Sequence, residues 1–304
     1  MSDDPSHLRI VARVPREGIR ISDAEIDAAL GSIDDADGPM LPTEKHIGPC
    51  RVCGSVEELT DEHVPPRGAF NKERSQELSL DDSLGRDDLT QPDGGAWSQG
   101  GISGYTLCKR CNNPRWTREY QDWAMVVAAV ISRAYQLNGD LDQIVGYPGA
   151  ADVTFKGRYP GRFVRQVISM FLSISGGPEL AETYPDLRAL VMGDTPRELP
   201  SPLRLYFQAY AGPTSRFVGG RGAIKANVET GEIQRLMAID FPPMGFILLL
   251  EGPPLDQGLD ISPFSMIDPD QKLDPTAEFL AIGFGHKPFP ADYRTKATMM
   301  AERG

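Results

Sequence analysis

Four cysteines in 304 residues fall into two Cys-x-x-Cys pairs, Cys50-Arg-Val-Cys53 and Cys108-Lys-Arg-Cys111, and none is left over. No other feature constrains the chain as tightly. Two thiols separated by two residues share one tight turn, and two such turns supply the four soft donors that tetrahedral zinc takes. A shell of four thiolates leaves no position for water, so the metal it implies is structural. Residues 46–123 hold few long apolar segments, and a bound metal compensates for a core that such a region cannot build. Buried thiols, a redox pair or an iron–sulfur cluster are the alternatives. Two matched pairs rarely arise by accident, and no second feature supports a cluster.

Composition narrows the setting. Hydrophobic residues make up 40% and charged residues 24%, the balance of a folded soluble chain. The net charge is −12 and the pI about 4.9, which argues against a broad nucleic-acid-binding face. A local basic groove escapes that argument, and a metal site brings its own cations. The longest apolar run, Met244 to Leu250, is strand-sized, and no run reaches the length of a membrane span. The opening "MSDDPSHLRI" is acidic and polar, without the pattern of a signal peptide, so the cytoplasm is the expected compartment.

The pattern along the chain predicts an α+β fold. Residues 1–45 read as an arm, with "HLRIVARVP" as a short strand and a short helix capped by Ser22. Residues 46–123 form the cysteine module, interrupted at about 71–101 by a polar, acidic, glycine-rich insertion. Asp81, Asp82, Asp87 and Asp88 in that insertion read as a solvated loop. Residues 124–304 read as a mixed helix and antiparallel-strand domain. A long helix with Thr117 as cap ends at Asn138-Gly139, and "GRFVRQVISMFLSISGG" and "PDLRALVMG" are two more. "LRLYFQAYAG", "GAIKANVETGEIQRLMAID" and "MGFILLLEG" then read as strands, with a hairpin turn at Thr230-Gly231. "FVGGRGAIK" reads as a turn, the tail from Pro253 as irregular, and His286 as a structural loop histidine. This half carries no chemical motif. Substrate recognition, a homodimer interface or a protein partner is its expected role.

His63 lies between the cysteine pairs, directly after Glu62, and Asn112 directly follows the last cysteine. The segments "CRVC", "DEHVPP" and "LCKRCNNPR" together resemble the HNH endonuclease family, the ββα-metal nucleases. The resemblance covers residues 50–115, about a fifth of the chain, and is silent on the rest. It implies a small zinc-stapled ββα-metal module in which Cys50, Cys53, Cys108 and Cys111 hold structural zinc. It implies His63 as the general base that activates water. It makes Glu62 and Asn112 ligands of a catalytic divalent metal, magnesium or manganese, and sets Arg115 against phosphate. One position departs from the family pattern. A middle asparagine expected before the third cysteine is replaced in "GISGYTLC" by Ser103 and Gly104, which leaves Asn71 or Asn113 to supply its hydrogen bonds.

The residue types suit the chemistry. Imidazole changes charge near neutral pH and can take a proton from water. Carboxylate and amide oxygens suit a hard cation, which stabilises charge on a phosphate. Lys109, Arg110, Arg115 and Arg118 form a basic run without an acid, and Lys156, Arg158, Arg162 and Arg165 add a second cluster. Together they are the expected DNA track. The expectation is therefore a metal-dependent endonuclease acting on DNA, with RNA left open, of the kind used in restriction, phage defence or mobile elements. The alternative is a catalytically inactive zinc-ribbon module that binds a protein or nucleic-acid partner.

Overall fold

A computed structural model describes residues 41–73, 75–77, 96–98, 100–138, 151–155, 157–193, 195–210, 215–226, 233–255, 258–273, 279–282 and 284–285. Residues 1–40 of the N-terminal arm, the run of aspartates in the insertion, Lys156, the expected turn at Thr230-Gly231 and His286 lie outside these residues. Among the described residues the fold is mixed α+β, and its strands are antiparallel apart from one short parallel pair.

The cysteine turns close a three-stranded sheet. β1 (Ile47–Pro49) pairs with the start of β2 (Val56–His63), and β2 pairs on its other edge with β5 (Ser103–Cys108). The first Cys-x-x-Cys is the turn between β1 and β2. There the Cys50 N–H donates to Ser55 O at 2.9 Å and the Gly54 N–H to Cys50 O at 2.7 Å. Cys108 ends β5, and its carbonyl accepts from the N–H groups of Cys111 (3.0 Å) and Asn112 (3.1 Å). This second turn feeds directly into α1 (Pro114–Asn138). The helix cap is Asn113 and not the expected Thr117: Asn113 Oδ1 accepts the Arg115 N–H at 2.9 Å, and Pro114 takes the first helical position. Between β2 and β5, β3 (Ser75–Glu77) and β4 (Ala96–Ser98) pair as a small ribbon flanking the insertion.

The C-terminal half supplies the large core. β6 (Ala151–Thr154) precedes α2 (Pro160–Ser173), α3 (Glu179–Thr183) and α4 (Pro185–Met192). A sheet then runs in the order β11-β7-β10-β9-β8, from β7 (Arg204–Tyr210), β8 (Arg216–Ala226), β9 (Ile233–Phe241), β10 (Met244–Glu251) and β11 (Leu259–Asp260). β12 (Phe279–Ile282) pairs with β6, and β13 (Phe284–Gly285) lies parallel to β7. Trp123 of α1 stacks between Phe155 (3.9 Å between centroids) and Phe163 of α2 (4.2 Å). Phe163 in turn meets Phe207 and Phe246 of the sheet, so aromatic contacts join helices to strands.

Two sequence expectations change. "FVGGRGAIK" is a strand, β8, whose register against β9 shifts between Val218 and Ala223; Gly220 (φ 62°) and Gly222 (φ 88°) absorb the bulge. The tail is more regular than its composition implies, with β11, a 3-10 helix at Ser262–Met266, β12 and β13. The expected boundary between residues 123 and 124 falls inside α1, and one buried apolar cluster extends from Cys50 and Leu107 to Phe246 and Leu273. Polar contacts bind the halves as well. Arg51, buried within the first cysteine turn, donates to Ser173 O at the end of α2. Arg188 Nε reaches Val52 O at 2.8 Å, and Trp116 Nε1 reaches Val191 O at 3.0 Å. Among the described residues no helix is long and apolar enough to cross a membrane.

Candidate metal centre and the end of strand β2

The two turns bring the Sγ atoms of Cys50, Cys53, Cys108 and Cys111 within 4.8 Å of one another. Cys53 Sγ and Cys108 Sγ are 3.8 Å apart, far beyond the roughly 2.05 Å of a disulfide, and all four thiols are free. A tetrahedron with metal–sulfur bonds of about 2.3 Å has edges of about 3.8 Å. The Cys108 N–H also points at Cys50 Sγ at 3.4 Å, as a thiolate ligand requires.

Charge says the same. A hydrogen bond from Cys111 draws the Cys50 thiol down to about 4, and the same bond pushes Cys111 up. Burial pushes Cys108 up as well. Burial also works against ionisation of Cys53, but hydrogen bonds from Ser55 and Arg110 outweigh it and bring that thiol down. Four packed thiols thus cannot all ionise alone, whereas a soft dication lets them. The donor set fits a metal.

β2 carries the neighbouring polar groups on two faces. The ladder of β2 against β5 shifts register between Thr60 and Asp61, so alternation is read only beyond that point, where Asp61 and His63 point one way and Glu62 the other. Asn112, on the second cysteine turn, donates from Nδ2 to Thr60 Oγ1 at 3.3 Å, just before the shift. Glu62 is only 4% exposed. Burial pushes its carboxyl up to about 8, the Gln166 amide of α2 opposes this, and Asp61 adds to it. Among the described residues no cationic side chain offsets the buried carboxyl. Gln166 is itself fixed from α1, where Thr117 Oγ1 lies 3.1 Å from its Oε1.

His63 faces the other way. Its Nε2 lies 3.2 Å from Gly100 O and its Nδ1 3.9 Å from Asp61 Oδ2. A carbonyl only accepts, so Nε2 carries the proton in that bond and Nδ1 is the basic nitrogen. The structure therefore brings Asn112 to Thr60, buries Glu62 two residues on, and turns His63, the last residue of β2, to the face opposite Glu62. Asp61 is the neighbour that the sequence reading passed over. The period-two rule for a strand places it beside His63.

Asn71 is buried and makes three hydrogen bonds through its side-chain amide. Its Nδ2 donates to Pro65 O (2.6 Å) and Ile102 O (2.8 Å), and its Oδ1 accepts the Ile102 N–H (2.7 Å). These bonds tie the chain just after His63 to the strand that pairs with it. Gly101 (φ 106°) makes room, since a Cβ there would meet Asn71 O at 2.4 Å. Asn113 is occupied as the helix cap, and Ser103 simply pairs with His63 in the ladder. Asn71→Ala leaves Pro65 O and the Ile102 N–H without this partner, while Ile102 O still accepts the Val64 N–H at 3.0 Å, and is expected to cost about 2–3 kcal/mol in urea unfolding. An unchanged midpoint would remove Asn71 from this role.

The expected nucleic-acid residues divide. Lys109, Arg110 and Arg118 are exposed. Arg115 stacks on Trp116 (5.0 Å) and bonds to Asp270. In the second cluster Arg165 is fully buried, donating to the carbonyls of Gly161 (2.7 Å), Thr195 (2.7 Å) and Gly193 (3.3 Å), so it is a core residue and not a track. Arg158 pairs with Asp122, and Arg162 bonds to Asp270. No family model, curated protein or solved structure matches this chain.

Proposed function

We propose that the four cysteines hold a structural zinc and that the end of β2, with Asn112, forms an HNH-type site that hydrolyses phosphodiester bonds in DNA. One observation carries this reading. A buried carboxyl, Glu62, lies uncompensated by any cationic side chain among the described residues, two residues beyond the Thr60 that holds Asn112 and directly before the histidine that ends the strand. An uncompensated buried carboxylate is costly, and a divalent cation removes that cost. Glu62 and the Asn112 Oδ1 would hold magnesium or manganese, with Nδ2 engaged by Thr60. When bound, that ion stabilises charge on the phosphate and the leaving oxygen.

The chain's own groups do the rest. His63 Nδ1 takes the proton from the attacking water. Asp61, 3.9 Å away, stabilises the imidazolium that forms. Asn71 fixes the loop after His63 so that the ring keeps its position. The substrate would lie across the end of β2, approached by His63 from one face and by Glu62 from the other. Zinc-loaded protein given magnesium or manganese should nick plasmid DNA, with His63→Ala as the inactive control. Loaded protein that cleaves neither single- nor double-stranded DNA nor RNA would sink the proposal.

A second reading has its own observation. His63 is turned to the face opposite Glu62, which suits a zinc-stapled module that binds a partner without catalysis. That reading expects zinc in the purified protein and identical behaviour of wild type and His63→Ala in every cleavage assay.

A further inference from the structure

A cleft of about 630 Å³ opens beside the first turns of α1, lined by Arg115, Arg118, Arg158, Tyr159, Arg162 and Lys272 among others. Its five cationic side chains come from α1, from the start of α2 and from the segment after the 3-10 helix, in a chain whose net charge is −12. Its carboxylates do not cancel them evenly. Glu119 turns inward, accepting from Trp123 Nε1 at 3.0 Å and the Tyr159 N–H at 2.8 Å. Asp122 pairs with Arg158. Arg118 and Lys272 make no ion pair among the described residues.

Arg115 and Arg162, from two different helices, both bond to a single oxygen, Asp270 Oδ1. Two guanidinium groups converging on one anionic oxygen is the way arginines hold a phosphate. Asp270 is 64% exposed at its side chain and sits on a turn with its own anchors. Arg162 Nε donates to Pro269 O at 2.6 Å, and the Leu273 N–H to Arg158 O at 2.9 Å. The carboxylate can therefore leave the arginines while the turn stays in place. Tyr159 holds Arg162 over its ring at 3.7 Å, with Lys272 at 5.3 Å, which keeps both cations at the mouth.

We infer that this cleft is a track for a nucleic-acid strand, and that Asp270 occupies the place of a backbone phosphate until the strand displaces it. The inference rests on the nucleic-acid substrate proposed above. It makes Asp270 a built-in competitor, so removing its charge should strengthen binding, where loss of an ordinary structural ion pair would weaken or spare it.

The test uses full-length, zinc-loaded His63→Ala protein and short fluorescein-labelled single- and double-stranded DNA, read by anisotropy across a salt series. Adding Asp270→Asn should tighten binding by about tenfold. Adding Arg118→Gln or Arg162→Gln should weaken it and flatten the salt dependence by about one phosphate contact each. Unchanged or weaker binding by Asp270→Asn, with an unchanged melting temperature, would overturn the inference. So would tight binding of ATP or inorganic phosphate with no binding of either DNA. The cleavage proposal is scored separately on the wild-type background. Binding that responds as expected without any cleavage leaves the track and removes the nuclease. Cleavage whose KM ignores Arg118→Gln and Arg162→Gln does the reverse.

Discussion

If the four cysteines hold zinc as proposed, removing it, or replacing Cys108 with serine, is expected to abolish cooperative unfolding of the whole described fold, and not of a small module alone. Structural zinc contributes on the order of 10 kcal/mol or more to such sites, while a folded domain is stable by only about 5–15 kcal/mol. Cys108 is fully buried at the end of β5, directly before the turn that leads into α1. The buried cluster that includes Cys50 and Cys108 runs on without a break to the C-terminal sheet. Calorimetry before and after chelation, with zinc content measured alongside, would show one transition collapsing. A melting profile that survives verified zinc removal would mean that the cysteines are only packed thiols.

Glu62→Gln should do two opposite things: reduce cleavage by about a hundredfold or more and stabilise the protein in magnesium-free buffer. The second effect follows from burial. The folded-state carboxyl titrates at about 8, above the usual carboxylate range, because it is desolvated. A raised folded value means that the native state holds its proton more tightly than the unfolded chain. The stability that Glu62 contributes is complete below about pH 4.5 and is lost as pH rises through about 8. Glutamine does not ionise, so the gap between variant and wild type should widen across that window, by about 1.4 kcal/mol per pH unit at most. Thermal melts of both proteins from pH 5 to about 8.5 would measure it. A gap independent of pH would show that Glu62 is not held protonated by burial. Lower stability together with lost cleavage would mark it as an ordinary structural residue.

The sequence showed the cluster of four cysteines more plainly than anything around it, for a physical reason. Thiol spacing on a turn is a local property, so Cys-x-x-Cys reads directly as geometry. In the large sheet β10 was legible from its unbroken apolar run between turn residues, and α2 from its apolar stripe. The bulge in β8 was misread because Gly220 and Gly222 take positive φ, which serves a turn and a bulge equally. Arg165 looked like surface because nothing local reveals the three carbonyls that surround it, two of them about 30 residues downstream. Asp270 could not be linked to Arg115 at all, since 155 residues separate them. The facing of His63 was within reach, because alternation along β2 already separates it from Glu62.

The contacts of the first cysteine turn also set an order of events during synthesis. The residues that Arg51 and Val52 engage, Ser173 and Arg188, lie 122 and 136 positions further along the chain. All four thiols have left the ribosome once Cys111 has emerged, well before either partner exists. An ion can thus be captured by a loose, solvent-reached turn early on, and the later helices then close over it. If the cysteines hold zinc as proposed, that ion should exchange freely in the nascent chain and slowly in the finished one.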